Sequence, residues 1–131
     1  MTDCYCFSLR RAARKVSSLY DEALAPAGIN IAQLSMLRRI KRAGSVSLTE
    51  LGRLCDLDRS TVGRNVQVLE RMGLVRSSAG KDQREATLGL SERGERALIE
   101  GDPLWEAAQG RIEQGLGRED AARLLALLEM L

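Results

Sequence analysis

The sequence predicts a mostly α chain with one small β-hairpin, and three stretches carry that prediction. Ser47-Leu48-Thr49-Glu50 and Asp58-Arg59-Ser60-Thr61 open two short helices on either side of a brief turn. Strand-like runs over residues 74–78 and 85–90 flank Ala79-Gly80-Lys81-Asp82, which has turn chemistry. Longer amphipathic helices bracket both. Two helices, a turn and a basic hairpin in that order spell a winged helix-turn-helix with N- and C-terminal dimerisation helices.

Each element has its own residue-level reason. From Cys6 to Leu24, the apolar positions Leu9, Ala13, Val16, Tyr20, Ala23 and Leu24 trace one helical face, and Pro26 and Gly28 end the helix. Asn30 is placed to cap the next helix with Gln33 in the reciprocal position. Leu34, Leu37 and Ile40 face inward until Gly44. Ser47 caps a short helix carrying Leu48, Leu51 and Leu54; the turn falls at 55–57, and Asp58 caps a second helix that buries Val62, Val66 and Leu69. Gly73 supplies a left-handed stop. Leu98, Trp105, Ala108 and Ile112 share one long C-terminal helix, and Leu124, Leu125, Leu128 and Leu131 a last one after Gly117.

The second short helix turns a chemically specific face outward. Arg59, Ser60, Thr61, Arg64, Asn65 and Gln67 are the side chains that read base edges: Arg pairs with guanine, Asn or Gln with adenine, and Ser or Thr with bases or phosphate. The hairpin adds Arg76, Lys81 and Arg84, with Asp82 placed to hold the Arg84 guanidinium for insertion into a narrow minor groove. A solvated surface helix and a turn salt bridge are the plain alternatives for either feature alone.

Taken together, these residues resemble the MarR family of bacterial transcription regulators. The likeness runs from the Ser-Leu-Thr-Glu-Leu start at 47–51 through Leu-Glu-Arg-Met-Gly-Leu-Val at 69–75 to the wing. There, Asp82-Gln83-Arg84 is followed after five residues by Leu90-Ser91. The resemblance implies a homodimer on a pseudo-palindromic operator of double-stranded DNA. It places Ser60, Thr61, Arg64 and Asn65 in the major groove and Asp82 and Arg84 at the minor groove; Arg59, Gln67, Arg76 and Lys81 complete the expected contacts. It also implies a single domain over 1–131. The DNA-binding part spans 30–91, with the helix-turn-helix about 47–72 and the wing about 74–90, and the dimerisation helices span 1–25 and 92–131. Repression is the expected output.

Composition agrees with that reading. The chain has 131 residues, 44% of them hydrophobic, which is enough for one domain with its own core. The net charge of +2 hides an uneven distribution. Residues 59–84 hold six Lys or Arg against two Asp or Glu, whereas residues 92–131 hold five against nine. A basic middle beside an acidic C-terminal part suits a nucleic-acid face. No signal-like or spanning run is evident, so a cytoplasmic location without membrane contact is expected, and the three cysteines are expected to be reduced thiols.

Cys4 and Cys6 open the first helix, where the helix dipole favours a thiolate. Cys6-Phe7, with Tyr20 fourteen residues on, resembles the branch of the family that senses organic hydroperoxides, in which a partner-subunit tyrosine hydrogen-bonds the cysteine. That branch has a second tyrosine where this chain has Arg10. Redox sensing by Cys6, Cys4 and Tyr20 and simple packing of small thiols therefore stay open, as does an unidentified small-molecule effector. No metal site or cofactor is expected, since the chain has no histidine. The same lack removes Ser-His-Asp and Cys-His catalysis, so an enzyme is not expected. The alternative readings are a winged-helix protein-interaction module and, below it, a thiol-based peroxide-reacting enzyme.

Overall fold

The computed structural model describes residues 4–78 and 86–131. Helix α1 (Tyr5–Leu24) runs into a single 3-10 turn at Ala25–Ala27, and Gly28, at φ +75°, reverses the chain. Helix α2 (Ile31–Ala43) begins with the reciprocal cap expected from its sequence. The Asn30 side chain accepts the Gln33 amide and the Gln33 side chain accepts the Asn30 amide, both at 2.9 Å. Leu34, Leu37 and Ile40 are fully buried, with Met36 beside them. Gly44, at φ +77°, stops the helix.

Helix α3 (Leu48–Cys55) starts where Ser47 Oγ accepts the Glu50 amide at 3.1 Å. The Glu50 carboxylate itself turns outward to Arg53, whose guanidinium lowers its pKa. Cys55, expected in the turn, is the last residue of α3. It is half-buried, and that burial pushes its thiol pKa up. Asp56 turns the chain in the left-handed region at φ 56°. Asp58 then caps helix α4 (Arg59–Arg71) by accepting the Thr61 amide at 2.8 Å. Gly73, at φ +76°, leads out of α4 into the hairpin.

The sheet has one strand more than the sequence reading supplied. Strand β1 (Val46–Ser47) pairs antiparallel with β3 (Thr87–Leu90), which also pairs with β2 (Val75–Ser78), in the order β1-β3-β2. Two residues are too few to show an alternating pattern, so β1 is created by its partner. Val46 stands opposite Leu88 and Val75 opposite Leu90; Val46, Leu88 and Val75 are all buried, which joins the inner face of the sheet to the helical core.

Helix α5 (Glu92–Leu116) is fastened to the α4–β2 connection through its first turn. Ser91 Oγ donates to the Gly73 carbonyl at 2.6 Å and accepts the Gly94 amide at 3.0 Å, while the Ser91 amide donates to the Leu74 carbonyl at 3.1 Å. Farther along, Arg38 of α2 pairs with Asp102 at 2.6 Å and lies 4.3 Å over the Trp105 ring; Lys41 pairs with Glu95. Arg38→Ala is expected to cost about 1 kcal/mol, because a partly exposed ion pair and a cation–π contact are each worth under about 1 kcal/mol. The check is urea unfolding followed by the fluorescence of Trp105, the chain's single tryptophan.

Helix α6 (Arg118–Glu129) follows Gly117 at φ +86° and packs on α5, and none of its residues is buried. Between α1, α5 and α6 lies an apolar groove of about 510 Å³, lined by Leu9, Val16, Ile112, Leu124, Leu125 and Leu128, among others. Leu125 is 65% exposed, and Met130 80%.

Candidate nucleic-acid interface

The candidate reading face is the exposed side of α4, set by the helical period. Val62, Val66 and Leu69 recur at helical spacing and are buried, which turns Arg59, Ser60, Arg64, Asn65 and Gln67 outward and leaves Thr61 half-buried. Asp58 organises the first turn. Its carboxylate accepts the Thr61 amide and the Ser60 hydroxyl, each at 2.8 Å, and these bonds hold its pKa below the ordinary carboxylate value, the Thr61 amide first. A depressed pKa means the cap's contribution is complete above the ordinary carboxylate pKa and is lost as pH falls through the folded-state value. Arg64 reaches back to Thr61 Oγ1 at 3.5 Å, so its guanidinium lies along the helix with most of its donors free.

Arg76 is exposed on β2, opposite Gly89 of β3. On the neighbouring position, Ser77 donates to Glu70 of α4, tying the strand to the reading helix. The described ladder ends at the pair Ser78 and Thr87; Lys81, Asp82 and Arg84 lie outside the described residues. Asn65 has a second neighbourhood that its sequence context did not suggest. It edges a cavity of about 150 Å³ between α2 and α4, together with Asn30, Gln33 and Met36. The signal was present, since Asn30 and Gln33 were legible as a cap, but no sequence pattern shows that α4 crosses in front of it.

The thiols and Tyr20 are not brought together within one chain. Cys4 caps α1 without a side-chain hydrogen bond and Cys6 lies in the first turn, both exposed and free. Tyr20 is fourteen residues on, about 21 Å along the helix at 1.5 Å per residue. The residue is buried and its hydroxyl donates to Gln109 Oε1 of α5; burial and, secondarily, Glu113 raise its pKa. Among the described residues, no group of three His, Cys, Asp or Glu side chains is placed to hold a metal ion. No described helix is long and apolar enough to cross a membrane.

A capped helix showing arginine, amide and hydroxyl groups, backed by a second short helix and braced by a three-stranded sheet, defines a winged helix-turn-helix protein. Comparison with known proteins narrows the class. The model of the MarR family matches residues 27–85, from the α1–α2 connection to a position just before β3. The crystal structure of the M. tuberculosis transcriptional regulator MosR in complex with DNA is 35% identical, with a TM-score of 0.79, and each chain covers 98% of the other. A probable transcriptional regulator from Pseudomonas aeruginosa superposes with a TM-score of 0.88 at 26% identity, covering 98% of this chain and 96% of its own. YwoH of Bacillus subtilis, an uncharacterized HTH-type transcriptional regulator, is 27% identical over 92 residues, which is 70% of this chain and 67% of that protein. The chain belongs to the MarR family of transcriptional regulators.

Proposed function

We propose that this protein is a homodimeric, sequence-specific DNA-binding repressor that acts on a pseudo-palindromic operator. The observation that carries the reading is the face of α4: five exposed side chains with base-reading chemistry, on a helix whose first turn is fixed by Asp58. The DNA-bound state of MosR, similar over nearly its whole length, supports the same use here. Ser60, Thr61, Arg64 and Asn65 enter the major groove with Arg59 and Gln67 at its edges, Arg76 and Lys81 meet phosphates, and Arg84 enters the minor groove in a pose held by Asp82. The apolar groove between α1, α5 and α6 supports closure by a second copy, since single-chain burial leaves those leucines in water. A two-fold axis through this contact sets two reading helices about one DNA turn apart, roughly 34–36 Å.

Release follows from a small ligand or from oxidation of the exposed thiols, each acting by favouring a dimer geometry that does not fit the operator. Because Tyr20 is engaged by Gln109 of its own chain, a Cys6 sensor that uses Tyr20 has to break that bond first. Two measurements test the reading. Arg84→Ala is expected to weaken binding to a duplex selected by the natural protein by about tenfold, with sedimentation still giving a dimer. Unchanged affinity removes the wing from the mechanism. Cys6→Ser is expected to keep DNA binding and to resist mild organic hydroperoxide at doses that release the natural protein; equal release of both leaves thiol oxidation at Cys6 without a role.

A further inference from the structure

Three arginines converge on a cleft of about 580 Å³ where three parts of the fold meet. Arg71 comes from the last position of α4, and Arg93 and Arg96 come from the first two turns of α5. Gly28, between α1 and α2, closes the other side, and Leu74 lies against the wall. Glu100 is the single carboxylate on the lining. Elsewhere in the structure Arg38, Lys41 and Arg53 each have a carboxylate partner, but among the described residues none lies within ion-pair distance of Arg71, Arg93 or Arg96. Arg93 lies across Gly73: its Nη1 and Cδ would be in ordinary contact, 3.6 and 3.7 Å, with a Cβ placed there.

Three exposed arginines on one cleft bring like charges together, and a planar or tetrahedral oxyanion relieves their repulsion through bidentate hydrogen bonds. We propose that this cleft binds a small, multiply charged oxyanion, a phosphate ester or a polycarboxylate. The ligand bears on the reading helix through Arg71. Seven residues, close to two turns, separate Arg64 from Arg71, so the two share one face of α4. An anion that holds Arg71 against Arg93 and Arg96 tightens the α4–α5 junction that the Ser91 hydrogen bonds already fasten, and so favours one spacing of the two reading helices. Binding stands independently of the DNA reading; its effect on DNA rests on that reading.

The test is isothermal titration of the full-length protein, without DNA, by inorganic pyrophosphate and by citrate at ionic strength held constant with chloride. One saturable site per chain is expected for at least one probe. Arg93→Gln and Arg96→Gln are each expected to weaken it about tenfold or more, and Arg53→Gln to leave it unchanged. Circular dichroism shows that each variant is folded. Absence of saturable binding overturns the proposal, as does binding that survives in both cleft variants and disappears in Arg64→Gln, which places the anion on the reading face instead. In a second arm, the probe is expected to shift affinity for a selected duplex in the natural protein and not in Arg96→Gln; an unshifted affinity overturns the coupling. If no duplex is selected, the DNA reading fails while the calorimetric result stands.

Discussion

Gly94→Ala is expected to lower the melting temperature by roughly 10 °C or more, the largest effect expected from a methyl group added at any described glycine. A Cβ at that position stands 2.1 Å from the Leu74 carbonyl oxygen and 3.1 Å from its carbon, and both are backbone atoms that cannot rotate away. The carbonyl is held from the other side by the Ser91 amide, so α5 has to lift off the α4–β2 connection. Overpacking of this kind costs about 1–3 kcal/mol, and more where backbone has to move. For a domain of this size each kcal/mol is worth several degrees. The same contact joins the reading unit to the helix that lines the apolar groove, so the surviving folded fraction should also lose operator affinity. Thermal unfolding by circular dichroism checks the first effect, and a shift under about 2 °C would mean that α5 does not pack closely on the Leu74 carbonyl.

Arg64→Ala should have the largest effect on DNA. It stands at the centre of the exposed face of α4, one turn beyond the capped end, with a single 3.5 Å bond to Thr61 holding it in place. A bidentate contact to guanine is worth about 1–3 kcal/mol, and a two-fold dimer uses it twice. A loss of roughly 30-fold or more in specific affinity is expected. Non-specific binding, carried by phosphate contacts, should change far less. Fluorescence anisotropy on matched specific and scrambled duplexes separates the two; an equal loss on both would reassign Arg64 to the phosphate backbone.

Local chemistry made most of the fold legible. Asn30, Ser47 and Asp58 all accept the amide three residues on, because a cap needs only a short polar side chain at the right offset; Ser91, read only as the close of the wing, does the same for α5. Gly28, Gly44, Gly73 and Gly117 all sit at positive φ beyond the ends of helical segments. What stayed hidden depends on partners distant in sequence. Strand β1 exists because β3 crosses beside it, and the Arg38, Asp102 and Trp105 contact joins residues more than sixty positions apart. At the candidate site, the exposed face of α4 followed from its period. The cavity beside Asn65 and the arginine cleft did not, since each is assembled from a few residues on elements distant in sequence.

Sequence-specific repression by a dimer requires that two copies of α4 read one DNA site together. Selection of duplexes from a random pool by the purified protein tests it directly. The expected result is an enriched inverted repeat whose half-sites lie about one helical turn apart, 10–10.5 base pairs centre to centre. A pool that stays random after repeated selection would contradict sequence-specific reading by α4 and leave the winged fold to a partner other than DNA.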